Sequence, residues 1–118
     1  IENLKKVSGS GKAGKINQQI DEYIEKNIRT ANIGELSEIL GYSIGYTGRL
    51  VKKLTGKSFP EKVREKRCGI AAEKLLNTDM PIAEIIDFTG YKNESYFRKC
   101  FKEKFGKNPL EFRKKEYR

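Results

Sequence analysis

Apolar residues recur at helical spacing along most of the chain, and no stretch shows the convincing alternation of a β-strand. In residues 15–29 the apolar side chains form one helical stripe: Ile16, Ile20, Tyr23, Ile24 and Ile28. Glycines, prolines and capping residues divide the rest of the chain into further amphipathic segments. The pattern therefore predicts an all-α protein of about seven helices.

Capping signals give the helix boundaries. Asn32 with Glu35 predicts a capping box at the start of the second helix, and Gly41 predicts its end. Pro81 begins a short helix that ends at Gly90, although proline lacks the side-chain acceptor of a polar cap. Two other starts combine a cap, a proline and a reciprocal glutamate: Ser58-Phe59-Pro60-Glu61 and Asn108-Pro109-Leu110-Glu111.

One pattern occurs twice. Residues 33–41 align with residues 82–90 without gaps, and after one extra residue Tyr46 aligns with Tyr96, Arg49 with Lys99 and Lys52 with Lys102. Each copy is a short helix, a glycine turn and a longer basic helix, which is the layout of a helix-turn-helix. The second helix of such a motif enters the DNA major groove, so recognition helices are predicted at about 43–54 and 93–105.

Positive charge follows the same repeat. The net charge is +9, and residues 41–67 and 92–118 each carry +6, whereas the intervening residues 68–91 carry −3. A basic surface needed only for solubility would not require this segregation. Two separate phosphate-facing surfaces would.

Several classes of protein fit poorly. The sequence has no apolar run long enough to span a membrane and no signal peptide. It has no histidine, and Cys68 and Cys100 match no metal pattern, so we expect no metal, no cofactor and no catalytic residues. A basic module that binds RNA or an acidic protein remains the rival interpretation. Most aromatic side chains fall on predicted core faces, which disfavours RNA.

Two stretches carry a family resemblance: LSEILGYSIGYTGRLVKKLTGKSFPEKVREKR and LLNTDMPIAEIIDFTGYKNESYFRKCFKEKFGKNPLEFRKK. With the amphipathic helix before them, they resemble the DNA-binding domain of the AraC/XylS family of bacterial transcription regulators. The resemblance covers about 100 of the 118 residues. It implies a homeodomain-like fold of seven helices, with lobe one at about 15–57, a long central helix at about 59–78 and lobe two at about 79–118.

The resemblance also implies partners and a setting. Residues 15–118 would bind double-stranded promoter DNA in the cytoplasm, associated with the nucleoid, and activators of the family usually contact RNA polymerase as well. Residues 1–14, which contain SGSGKAG, would be the linker from an upstream sensor, dimerisation or receiver domain, or a vector-derived tail. The fragment itself is expected to be monomeric.

Lobe two carries the fuller set of candidate DNA contacts. The candidates for reading bases lie early in its recognition helix: Asn93, Glu94, Ser95, Arg98 and Lys99. Glutamate accepts from a cytosine amino group, and arginine or lysine donates to guanine. Lys102 and Lys104 are expected to meet phosphates. The aromatic band is expected to be core, and its members are Phe97, Phe101 and Phe105 with Tyr96 and Cys100 beside them.

Lobe one departs from the family pattern. The positions that match base-facing ones in the family hold Gly45, Gly48 and Arg49, with Ser43, Lys52, Lys53 and Lys57 as phosphate candidates. Each glycine inside a helix costs about 1 kcal/mol relative to alanine. Thr47 and Val51 also predict a thinner core than the leucine and phenylalanine favoured in the family. We therefore expect weaker base discrimination from lobe one, and a recognition helix that is partly disordered without DNA.

Spacing suggests how the two lobes would act together. A central helix of about eighteen residues spans roughly 27 Å. Successive major grooves lie about 34 Å apart along one side of a duplex. The sequence thus predicts recognition helices in successive grooves, although the same helix would also serve as the centre of a bundle.

Overall fold

The computed structural model describes the backbone of residues 7–117 and the side chains of residues 14–114. These residues form seven α-helices: α1 (Val7–Lys26), α2 (Ile33–Leu40), α3 (Ile44–Thr55), α4 (Phe59–Asn77), α5 (Ile82–Thr89), α6 (Glu94–Phe105) and α7 (Pro109–Tyr117). No strand occurs within them, and none of the helices there is both long and apolar enough to cross a membrane. The all-α prediction is confirmed.

The first helix differs from its predicted bounds. α1 begins at Val7 rather than at Lys15, and it ends at Lys26 rather than at Arg29. It therefore includes residues 7–14, for which we expected a linker. Lysine and alanine are good helix formers and a glycine costs only about 1 kcal/mol, so this composition is compatible with a helix. Residues 1–6 of the predicted linker lie outside the described residues.

The remaining helix ends follow the capping prediction. Ser58 and Glu61 exchange reciprocal hydrogen bonds of 2.8 and 3.3 Å, and Asn108 and Glu111 do the same at 3.3 and 2.8 Å. Glycines in the left-handed conformation follow four helices: Gly41, Gly56, Gly90 and Gly106. Pro81 precedes α5 without a side-chain cap hydrogen bond, as its chemistry requires.

Tyr23 adds a tertiary contact to the start of α2. The Asn32 side chain accepts from the Glu35 N–H at 2.9 Å, as predicted. The Asn32 N–H donates to the Tyr23 hydroxyl at 3.0 Å, and that hydroxyl in turn lies within hydrogen-bonding distance of the Glu35 carboxylate. Burial and the Glu35 hydrogen bond raise the pKa of Tyr23. The cap is thus tied to α1, which local sequence did not indicate.

The described chain divides into two compact units. The first contains α1, α2, α3 and the chain as far as Lys62, apart from the segment Ile28–Thr30. Its core is aliphatic, and its fully buried side chains include Ile20, Ile24, Leu36 and Val51. Thr47 is also fully buried, and its hydroxyl donates to the Ser43 carbonyl at 2.8 Å. Threonine and valine therefore occupy core positions here, as the sequence indicated.

The second unit has an aromatic core. It contains Ile28–Thr30 and the chain from Val63 onward, so that α4 begins in one unit and continues in the other. Phe97 and Phe101 are fully buried, and the Phe101 ring lies 4.6 Å from that of Phe105 and 5.2 Å from that of Phe112. Tyr96, however, is 41% exposed, so its inclusion in the core band was wrong.

Candidate nucleic-acid interface

α3 and α6 occupy the same place in the two units, each after a short helix and a left-handed glycine turn. α3 buries Thr47 and Val51, and α6 buries Phe97 and Phe101, at the same spacing of one turn. Positions half a turn away from these residues therefore face outward. Both outward faces are basic toward the end of the helix, with Lys52 and Lys53 in α3 and Lys102 and Lys104 in α6.

The outward face of α6 holds an internal ion pair. Glu94, Ser95, Lys99 and Lys102 are exposed, whereas Arg98 is half-buried. The Arg98 guanidinium contacts the Glu94 carboxylate, with Nε at 2.7 Å and Nη2 at 2.6 Å from the same oxygen. Two residues predicted to read bases thus orient each other across one helical turn.

The N-caps of both recognition helices are also predicted contact residues. The Asn93 side chain accepts from the Tyr96 N–H at 2.8 Å, and the Ser43 hydroxyl accepts from the Tyr46 N–H at 3.1 Å. Helix capping therefore uses acceptor capacity of these two side chains. The amide nitrogen of Asn93 and the hydroxyl hydrogen of Ser43 are the donors that would face DNA.

The two glycines of α3 face different surroundings. A Cβ at Gly45 would lie 3.6 Å from the Arg49 guanidinium, which therefore extends over the place where a side chain would be. A Cβ at Gly48 would lie 3.6 Å from Ile33 Cδ1 on α2. The structure thus places Gly45 beside Arg49 on the outward face. Gly48 lies at the flank of the helix, next to α2.

Sequence reasoning missed two exposed side chains at the start of α3. Ile44 is 56% exposed, and Tyr46 is 44% exposed with its ring at 4.9 Å from that of Tyr42. Ile44 aligns with Glu94 in the repeat, so it stands where the other recognition helix carries a predicted reader. That alignment was the signal that could have identified it.

The predicted phosphate contacts are exposed in both units. They are Ser43, Lys52, Lys53 and Lys57 in the first unit, and Lys102 and Lys104 in the second. Lys104 lies 3.8 Å from the Glu65 carboxylate. Among the described residues, no three His, Cys, Asp or Glu side chains are grouped as a metal site requires.

Two helix-turn-helix units with basic recognition helices define a class of DNA-binding protein. The comparison with known families agrees, because residues 36–115 match the family described as "Helix-turn-helix domain". The chain belongs to this family, in its AraC type, whose members are DNA-binding transcription regulators.

Individual relatives support this membership. The regulatory protein SoxS of Salmonella typhimurium is 31% identical over 80% of this chain and 85% of its own length. The bifunctional transcriptional activator/DNA repair enzyme AdaA of Bacillus subtilis is 33% identical over 80% of this chain but only 45% of its own. The C-terminal domain of AraT, a response regulator from Geobacillus stearothermophilus, has a TM-score of 0.75 at 32% identity, over 85% of this chain and 84% of that one.

Proposed function

We propose that residues 15–118 bind double-stranded promoter DNA sequence-specifically, with α3 and α6 entering successive major grooves. The observation that carries this proposal is the repeated unit itself, a capped helix after a glycine turn whose outward face ends in lysines. α4 has 19 residues, which corresponds to roughly 28 Å of helix. That length is suited to the spacing of about 34 Å between successive grooves.

The two recognition helices are proposed to read DNA unequally. In α6 we assign base contacts to Asn93, Glu94, Ser95, Arg98 and Lys99, with Glu94 directed to a cytosine amino group and Arg98 to guanine. α3 offers a smaller set. Arg49 is its polar reader, Gly45 and Gly48 allow close approach of the backbone, and the exposed Ile44 would contact a thymine methyl group.

We propose no catalytic role for this domain, and we assign phosphate contacts to the six residues named above. A cytoplasmic, nucleoid-associated monomer that contacts RNA polymerase would fit the family. AraT, whose C-terminal domain is similar to this chain, is a response regulator. This likeness supports a role for residues 1–14 as the link to an upstream receiver or sensor domain.

In vitro selection of DNA sites with this chain tests the proposal. We expect a preferred site with two short elements about one helical turn apart, and stronger base preferences in the element that α6 reads. Recovery of sites without any sequence preference would contradict specific binding by these residues.

A salt series with duplex DNA, duplex RNA and an acidic protein separates the rival partners. Affinity for duplex DNA should be the highest and should fall steeply with salt, because several phosphates release counterions on binding. Tighter binding of RNA or of the acidic protein would favour the corresponding rival.

A further inference from the structure

The turn between α5 and α6 lies against a segment from a distant part of the chain. This segment is Ile28–Thr30, which connects α1 to α2 in sequence but belongs to the second unit. Ile28 is buried. We refer to Ile28–Thr30 as the docked segment.

Arg67 of α4 fixes the backbone of the docked segment. Its Nε donates to the Ile28 carbonyl at 3.0 Å, and its Nη2 donates to the Arg29 carbonyl at 3.4 Å. Hydrogen bonds from a charged donor are stronger than those between neutral groups. One side chain therefore holds two consecutive carbonyls, which determines where the docked segment lies in the second unit.

The docked segment in turn contacts the end of α5 and the turn that follows. Asp87 accepts from the Arg29 guanidinium at 2.9 Å. Gly90, with φ of 88°, packs against the Arg29 backbone so closely that a Cβ would lie 2.5 Å from the Arg29 carbonyl oxygen. The close approach leaves no room for a Cβ, so glycine is required here, and glycine also adopts the left-handed conformation without strain.

Contacts continue from this turn into α6. Tyr91 follows Gly90, and its ring lies 5.0 Å from that of Phe97 and 6.1 Å from that of Tyr96. Its hydroxyl lies 3.2 Å from the Cys68 sulfur. A shift of Gly90 would therefore move Tyr91 and with it the first turn of α6, where the proposed base-reading side chains lie.

Among the described residues, nothing packs against the corresponding glycine of the first unit as the Arg29 backbone packs against Gly90. Gly41 occupies the corresponding turn with φ of 80°, and a Cβ there would meet nothing within 4 Å. Tyr42 corresponds to Tyr91, but it is only half-buried. The two turns thus share a backbone conformation and differ in what packs against them, which provides a matched control.

We propose that the docked segment and Arg67 are positioning elements for the second recognition helix. Arg67 holds the docked segment, the segment fixes Gly90, and Gly90 with Tyr91 sets the direction of α6. The contacts themselves do not depend on DNA binding. Only their consequence for base reading rests on the proposed function.

Amide hydrogen exchange of the free protein tests the positioning directly. In Arg67→Gln we expect exchange in residues 90–98 to accelerate about tenfold or more, because local opening becomes easier, with no change in residues 41–48. Arg67→Lys, which keeps one charged donor, should give an intermediate rate. Exchange in Arg67→Gln equal to that of the unchanged protein, or accelerated equally in both ranges, would overturn the proposal.

Substitution of the two turn glycines, Gly90 and Gly41, provides a second test of the proposal. Gly90→Asn and Gly41→Asn introduce the same side chain into the same left-handed conformation, so that only the packing differs. Gly90→Asn should accelerate exchange in residues 90–98, whereas Gly41→Asn should change little. If Gly90→Asn does not fold, the exchange rates of Arg67→Gln still test the proposal. Equal effects of the two substitutions, each in its own turn, would contradict a special role for the docked segment.

DNA binding then separates positioning from direct contact. Arg67→Gln should reduce discrimination at the element read by α6 by about tenfold and leave affinity for non-specific DNA unchanged. Uniform weakening on all sequences would identify Arg67 as a phosphate contact and would refute positioning. Because the exchange measurements use no DNA, a lack of sequence preference in the unchanged protein would count against the proposed function alone.

Discussion

Replacing Arg98 by alanine is the most direct test of unequal reading. The Arg98 guanidinium contacts Glu94 at 2.6–2.7 Å, so one position of its side chain is favoured before DNA arrives. A bidentate contact from arginine to guanine discriminates against the wrong base by about 1–3 kcal/mol, which is about 5- to 150-fold in Kd. We expect Arg98→Ala to lose discrimination within this range at one base pair of its element.

Arg49→Ala is the matched comparison in α3. Gly45 lies one turn before Arg49, as Glu94 lies one turn before Arg98, and it offers no side chain to orient the guanidinium. Ordering a flexible side chain on binding consumes part of the interaction energy. We therefore expect Arg49→Ala to lie at the low end of the range, at about fivefold.

Fluorescence anisotropy with the selected duplex provides the assay. Kd is measured at one fixed salt concentration for that duplex and for variants that each change one base pair, and the ratio of the two is compared between proteins. The reasoning would be refuted by a loss of discrimination in Arg49→Ala as steep as that in Arg98→Ala. The Kd values of Glu94→Gln alone and of Glu94→Gln combined with Arg98→Ala complete a double-mutant cycle. This cycle gives the interaction free energy between the two side chains.

Three further predictions concern charge, packing and pH. Lys102→Ala should weaken binding equally on all sequences and reduce the salt slope by about one, as measured by anisotropy over a salt series. Gly48→Ala should raise the thermal midpoint of the free protein by a few degrees, because the methyl group would lie 3.6 Å from Ile33 and removes a helix cost of about 1 kcal/mol; an unchanged or lower midpoint would refute this. Burial raises the pKa of Cys68 and Tyr91 above their ordinary values of 9.0 and 10.0. Both groups therefore stabilise the fold while neutral, fully below pH 9 and decreasingly above it. Between pH 8 and 11 the thermal midpoint should decrease less in Tyr91→Phe than in the unchanged protein. Equal decreases in the two proteins would contradict this.

Most of the secondary structure was predictable from capping residues and apolar periodicity, which act between residues close together in sequence. Ser58 with Glu61 and Asn108 with Glu111 form the predicted boxes, because the interacting groups are only three residues apart. Asn32 caps α2 for the same reason. The beginning of α1 was missed because glycine lowers helix propensity without forbidding a helix.

The surface of the recognition helices was predictable in type but not in detail. Helical periodicity identified Phe97 and Phe101 as buried, and it placed Lys99 and Lys102 on the opposite face. It could not show that Tyr96 remains exposed, because exposure at the edge of a buried face depends on which neighbours cover it.

The sequence alone therefore determined most of the helices, the repeat and the doubled basic surface, because caps, helical periodicity and charge are set by residue types along the chain and need no tertiary contact. Only the tertiary structure decided that Ile28–Thr30 belongs to the second unit and that Gly48 faces Ile33. It also distinguished Gly90, held against the Arg29 backbone, from Gly41, whose turn is open. In sequence these two glycines look alike. What separates them is a contact over 61 residues of chain, which no local pattern encodes.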